Sequence, residues 1–82
     1  MDLEISFDTK GKDYAEIFRK IKKDAEDFGI KMSGTAEKGN FLAFATAGRY
    51  EFSGGRFTAY IYRKPGMVSD SMIKEGLEKY FK

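Results

Sequence analysis

Two side-chain types that are widely used in catalysis are absent from this sequence. The chain has no histidine and no cysteine, which removes the usual general base near neutral pH and all thiolate chemistry. Three carboxylates, Asp2, Glu4 and Asp8, alternate along one stretch and would share its solvent face, with no second acidic cluster to help them hold a cation. The serines have no histidine to activate them. We therefore expect no enzyme activity, no metal site and no cofactor.

A second group of side chains could bind rather than react. In "GRYEFSGGRFTAYIYRKPG", residues 48–66, alternate positions of two strands would point away from any helices. The side chains expected on this outer sheet face are Arg49, Arg56, Thr58, Tyr60, Tyr62 and Lys64, with Phe41, Ala43 and Ala45 beside them. Tyrosines flanked by cations could stack the bases of a single-stranded nucleic acid. An apolar patch there could instead bind a protein or a second copy of the chain.

A plainer interpretation of the outer face needs no partner. Tyrosine and threonine are favoured on half-exposed strands, and Arg49 would stack across from Tyr60. The net charge of +2, from 15 basic and 13 acidic residues, is too balanced to favour nucleic acid or an anionic membrane as the partner on its own.

Two glycines suggest a close approach or a small cavity. Gly76 falls within a helical pattern, where glycine costs about 1 kcal/mol relative to alanine. Tight packing of the last helix would justify it. The alternative is a cavity for an apolar ligand between helices and sheet, lined by Met32, Gly34, Met72 and Gly76. The segment "TKGKDY" precedes a helix whose N-terminus could attract an anion, although it lacks a phosphate-loop spacing.

The periodicity of the chain predicts seven elements. "DLEISFD" alternates as a half-buried strand, residues 12–28 have helical spacing, and Gly29 suits a left-handed cap at the helix end. Strands follow at residues 30–36, 41–45, 49–53 and 56–63, with "EKGN" as a turn. Pro65 ends the sheet, and Ser69 or Asp70 can cap a final helix. The inner positions expected on that helix are Met72, Ile73, Gly76, Leu77, Tyr80 and Phe81.

Glycine turns predict the register of the strands. "TAG" suits a three-residue loop with Gly48 in the left-handed region, which pairs Phe44 with Tyr50. Gly54 and Gly55 suit a two-residue type I′ turn, which pairs Phe52 with Phe57. The resulting inner face would comprise Leu42, Phe44, Tyr50, Phe52, Phe57, Ala59 and Ile61.

Together these elements predict an α+β fold for a single domain spanning residues 1–82. The order β-α-β-β-β-β-α gives one five-stranded antiparallel sheet with two helices packed on one face, and the first strand beside the last. The N-terminus does not have the pattern of a signal peptide and no apolar run is long enough to span a membrane, which favours the cytoplasm.

The layout resembles the helix-grip architecture, seen in one repeat of the TATA-binding protein and in small relatives of START-like lipid-binding domains. The layout also resembles that of the small polyhydroxyalkanoate-granule regulatory proteins, and the matching stretches are "EIFRKIKKDAEDFGIKMSG" and "AGRYEFSGGRFTAYIYRKPGMVSDSMIKEGLEKYF". That resemblance implies association with lipid or polymer granules and no catalytic residues.

Three functions are compatible with these patterns. The leading hypothesis is a non-enzymatic binding domain that acts through protein–protein contacts or as a homodimer, using the outer sheet face or an edge strand. The second is a carrier or sensor of a small apolar ligand or of a lipid or granule surface. The third is single-stranded nucleic-acid binding through Tyr60 and Tyr62.

Overall fold

The computed structural model describes residues 3–43 and 45–82 and has the predicted α+β architecture. The elements are β1 (Leu3–Asp8), α1 (Tyr14–Asp27), β2 (Lys31–Gly34), β3 (Lys38–Ala43), β4 (Thr46–Ser53), β5 (Arg56–Arg63) and α2 (Asp70–Glu78). All strands pair antiparallel in the order β1-β5-β4-β3-β2. The first strand therefore lies beside the last, as the sequence predicted.

Local signals explain where the helices begin and end. Asp13 caps α1 by accepting a hydrogen bond from the amide of Ala15, and Ser69 caps α2 by accepting one from Met72. Gly29, at φ +77°, ends α1 in the left-handed conformation. The amide of Ile30 then bonds back to the carbonyl of Ala25 at 2.8 Å. This is the bond of a Schellman motif, which satisfies carbonyls left free at a helix end.

Both helices pack on one face of the sheet around a set of stacked rings. We call this set the aromatic cluster: Phe7, Tyr14, Phe52, Phe57 and Phe81. Tyr14 from α1 stacks on Phe52 at 4.9 Å between centroids, and Phe81, after α2, stacks on Phe7 at 5.1 Å. The cluster lies near the β4–β5 turn, where Gly54 and Gly55 both have positive φ. The predicted turn and the Phe52–Phe57 pair are thus confirmed.

The predicted register of β3 against β4 is wrong. Phe41 pairs with Gly48, and Tyr50 pairs with Gly39 rather than with Phe44, which itself lies outside the described residues. The difference in register is odd, so each side chain of β3 changes face. Phe41 consequently packs against the core, whereas Leu42 is 55% exposed.

The glycines that suggested turns in this region instead lie inside strands. Gly48 is not in the left-handed region, and a Cβ there would lie 2.5 Å from the ring of Phe41. Gly39 belongs to β3 and not to the predicted "EKGN" turn, and a Cβ on it would lie 2.6 Å from the hydroxyl of Tyr50. These glycines let aromatic rings lie directly over the backbone, which local turn chemistry does not predict.

Gly76 also differs from its expected role. It is exposed on α2, and a Cβ there would have no neighbouring atom within 4 Å. Neither tight packing nor a cavity therefore explains it.

Gly76 and Gly48 should respond oppositely to the same substitution. Gly76→Ala should raise the free energy of unfolding by about 0.8–1 kcal/mol, because alanine has the higher helix propensity. Gly48→Ala should lower it by about 1–3 kcal/mol, because the new Cβ would overlap the carbonyl oxygen of Tyr60. Urea titration measures both. A neutral Gly48→Ala would contradict the close approach of β4 and β5.

Candidate functional site

The candidate site is an apolar cavity between the helices and the sheet. We call it the helix–sheet cavity; its volume is about 280 Å³ and it is partly open to solvent. α1 contributes Phe18, Ile21 and Ala25 to its wall. The other lining residues are Ile30, Met32, Phe41, Thr46, Tyr50, Phe52, Phe57, Ala59, Ile61, Lys64, Pro65, Val68, Ile73 and Leu77. Among these lining residues, the non-aromatic polar ones are Thr46 and Lys64.

The aromatic cluster forms one wall of the cavity, since Phe52 and Phe57 belong to both. The cluster joins α1 and the segment after α2 to the Phe52–Phe57 pair. Near the same β4–β5 turn, Thr9 donates from its amide and its hydroxyl to the carbonyl of Gly55. α2 contains no fully buried residue. Ile73 and Leu77, on its inner side, remain half-buried and face the cavity.

Of the four residues predicted to line a cavity, the structure places one there. Met32 lines it, whereas Gly34, Met72 and Gly76 do not. Met72 is 58% exposed. Gly34 ends β2 at φ +118°, with the backbone of Gly39 immediately opposite. The sequence pattern did place Tyr50, Phe52, Phe57, Ala59 and Ile61 on the inner sheet face and Ile73 and Leu77 on the inner side of the last helix, but it gave no signal that a space lies between them. Phe41 was missed because its face depends on the β3–β4 register.

A β-bulge also brings an unexpected cation into the cavity. The β4–β5 pairing shifts between Ala47 and Gly48, so that Ala47 pairs with Arg63 and Gly48 with Ile61. Tyr62 is the extra residue, and such an insertion reverses the alternation of faces beyond it. Lys64 therefore lines the helix–sheet cavity, which corrects its predicted place on the outer face.

The outer face carries most of the side chains predicted for it. Arg49, Arg56, Thr58, Tyr60 and Tyr62 lie there, as the pairing shows. Phe41 does not, and Ala43 is paired with Thr46, which lines the cavity. The exposed apolar side chains on this face are instead Leu42 and Tyr62, which are 55% and 45% exposed.

One cation of the outer face, Arg49, is already engaged within the sheet. The Arg49 guanidinium lies 3.9 Å from the centroid of the Tyr60 ring and 3.9 Å from a carboxylate oxygen of Glu51. Ser6 and Thr58 bond to each other at 3.1 Å. Tyr60 therefore has one ring face covered, which leaves less area for stacking a base.

Residues with possible catalytic or anion-binding roles are not brought together. Glu4 and Asp8 are exposed on the outer side of β1. Within residues 3–43 and 45–82 no group of three acidic, histidine or cysteine side chains could hold a metal. The start of α1 is occupied by its own Asp13 carboxylate, so it does not offer the anion site that "TKGKDY" suggested.

Comparisons with known proteins and the character of the helices give two further findings. Comparison of the chain with models of protein families, with curated proteins and with solved structures found no match. None of the described helices is both long and apolar enough to cross a membrane. The resemblance to granule regulatory proteins therefore stays a prediction.

A polar contact joins the segment after α2 to α1. The Tyr80 hydroxyl donates to the carboxylate of Asp24, which also lies 3.8 Å from the ammonium of Lys79. Burial, and then the hydrogen bond and the charge of Asp24, raise the pKa of Tyr80 well above its ordinary value.

This raised pKa predicts a loss of stability in alkali. The unfolded chain releases the Tyr80 proton first, so the contribution is complete below about pH 10 and declines as the pH rises further. Tyr80→Phe should make the free energy of unfolding less dependent on pH between about pH 9 and pH 11. Urea titrations across this range measure the difference, and equal pH dependence in both proteins would contradict it. Tyr50, whose pKa burial also raises, is unchanged in this comparison.

Proposed function

We propose that this protein binds a small apolar molecule in the helix–sheet cavity. The observation that carries the proposal is an apolar space of about 280 Å³ within a chain of only 82 residues. Protein interiors are normally packed as densely as organic crystals, with few voids larger than a water molecule. Apolar walls that face solvent gain dispersion contacts when an apolar ligand packs against them.

The lining defines the chemistry of the ligand. Apolar walls offer water too few hydrogen-bond partners to hold it well. At about 30 Å³ for each water-sized group, the space corresponds to a ligand of roughly ten non-hydrogen atoms. Apart from Thr46 and Lys64, the described lining side chains are aliphatic or aromatic, so the proposed role is binding without a reaction.

Exposed methionines next to the lining support entry of such a ligand. Met67 is 91% exposed and precedes Val68, and Met72 is 58% exposed and precedes Ile73. Val68 and Ile73 both line the cavity. Methionine is flexible and polarizable, which suits a surface that must adapt to apolar molecules. Because α2 buries no residue fully, small movements of it break few apolar contacts.

Filling the cavity from α1 should abolish binding. Ala25 is 8% exposed and lines the cavity, whereas Ala15 is exposed on the same helix outside it. With 1-octanol as the probe, we expect wild type and Ala15→Leu to bind and Ala25→Leu not to bind, as measured by isothermal titration calorimetry. Circular dichroism checks that each variant is folded.

Binding should also stabilise the fold. At ten times its dissociation constant, 1-octanol should raise the free energy of unfolding by about 1.4 kcal/mol in wild type and Ala15→Leu. Equal stabilisation of Ala25→Leu would place the alcohol elsewhere on the protein. No binding by wild type would refute the proposed function.

Self-association through the outer face is a second candidate, supported by Leu42 and Tyr62. The pairing places Leu42, Ala47 and Tyr62 on three neighbouring strands, and adjacent exposed apolar side chains often mark an interface. If this face forms a homodimer, sedimentation should show dimers in wild type and weaker association in Leu42→Asp. A wild-type monomer at every concentration would contradict this candidate.

The resemblance to granule regulatory proteins is chemically compatible with the first candidate, cavity binding of an apolar molecule. That resemblance implies contact with lipid or polymer granules, and both materials present apolar chains. Single-stranded nucleic-acid binding has less support, because Arg49 already covers Tyr60.

A further inference from the structure

One charged side chain lines the otherwise apolar helix–sheet cavity. Lys64 is the only lysine, arginine, aspartate or glutamate among the lining residues that the structure describes. Its side chain is 27% exposed, so the alkyl stem packs along the protein while the ammonium reaches solvent. This places a positive charge at the rim of a space that suits an apolar chain.

One of the two partners of Lys64, Asp70, can be replaced by a ligand. Its ammonium donates to the carbonyl of Val68 at 2.7 Å and lies 3.3 Å from a carboxylate oxygen of Asp70. The Asp70 side chain is 59% exposed, and ion pairs that open to water contribute little to stability. Asp70 can therefore return to solvent when another carboxylate approaches Lys64, while the Val68 carbonyl keeps its bond.

We propose that the ligand is an amphipathic anion, namely a medium-chain carboxylate. Its alkyl chain fills the cavity, and its carboxylate binds the Lys64 ammonium in place of Asp70. This inference rests on the proposed function and adds the class of ligand to it. Octanoate, with a carboxylate on a seven-carbon chain, matches the available volume of roughly ten non-hydrogen atoms.

Three probes with eight carbons each separate charge from apolar contact. Octanoate, 1-octanol and octylammonium are titrated into the wild-type protein at about pH 7.5, where carboxylate and ammonium groups are both ionised. We expect octanoate to bind about tenfold more tightly than 1-octanol, because a charge-assisted hydrogen bond is added. Octylammonium should bind more weakly than 1-octanol. Added salt should reduce the advantage of octanoate.

Two lysine variants locate the charge responsible. Lys64→Met keeps an apolar stem of similar length and removes the ammonium, so it should bind octanoate no more tightly than 1-octanol. Lys23→Met, on the exposed face of α1 and outside the cavity, should keep the tenfold preference. Thermal unfolding verifies that both variants are folded.

The outcomes distinguish the inference from the proposed function. If wild type binds 1-octanol as tightly as octanoate, or if folded Lys64→Met keeps the preference, the anionic ligand is refuted while cavity binding stands. If neither probe binds wild type, both are refuted. If octanoate still binds Ala25→Leu, it binds outside the cavity, and the inference fails. The three wild-type titrations decide the matter even if Lys64→Met does not fold.

Discussion

The stacking of the aromatic cluster on one end of the sheet is the interaction on which the rest of the structure depends. Phe57 packs between Phe52, at 4.9 Å, and Phe81, at 5.1 Å. Through Tyr14 and Phe81 these rings connect α1, β1, β5 and the C-terminal segment. Aromatic pairs contribute about 0.5–1.5 kcal/mol each beyond the area that they bury. Phe52 and Phe57 also line the helix–sheet cavity, so the rings that fix the helix layer to the sheet form one wall of the candidate site.

The order of the elements could be predicted because each depends on local chemistry. Alternation in β1, helical spacing in α1, the left-handed Gly29 and the Gly54–Gly55 turn all require only neighbouring residues. The prediction failed where glycine serves a distant partner. Gly39 and Gly48 accommodate Tyr50 and Phe41 across the sheet, and no short window of sequence reveals which ring will lie over which glycine.

The candidate site was predicted less well than the fold for the same reason. Its existence was considered from Gly34 and Gly76, neither of which lines it. Met32 was placed correctly because β2 follows simple alternation. Lys64 could not be placed, since its side depends on a bulge at Tyr62 that shifts the pairing by one residue. One inserted residue thus determines whether the cavity has a purely apolar rim or a charged one.

The shortness of β2 limits how copies of this protein can aggregate. β2 forms one edge of the sheet with only four residues, and it ends at Gly34, whose φ of +118° departs from strand geometry. The other edge, β1, presents the carboxylates of Glu4 and Asp8, which would repel the same edge of another copy. Short and charged edges are the means by which natural sheets avoid adding strands from neighbouring chains. Growth into a continuous intermolecular sheet, as in fibrils, is therefore disfavoured at both edges.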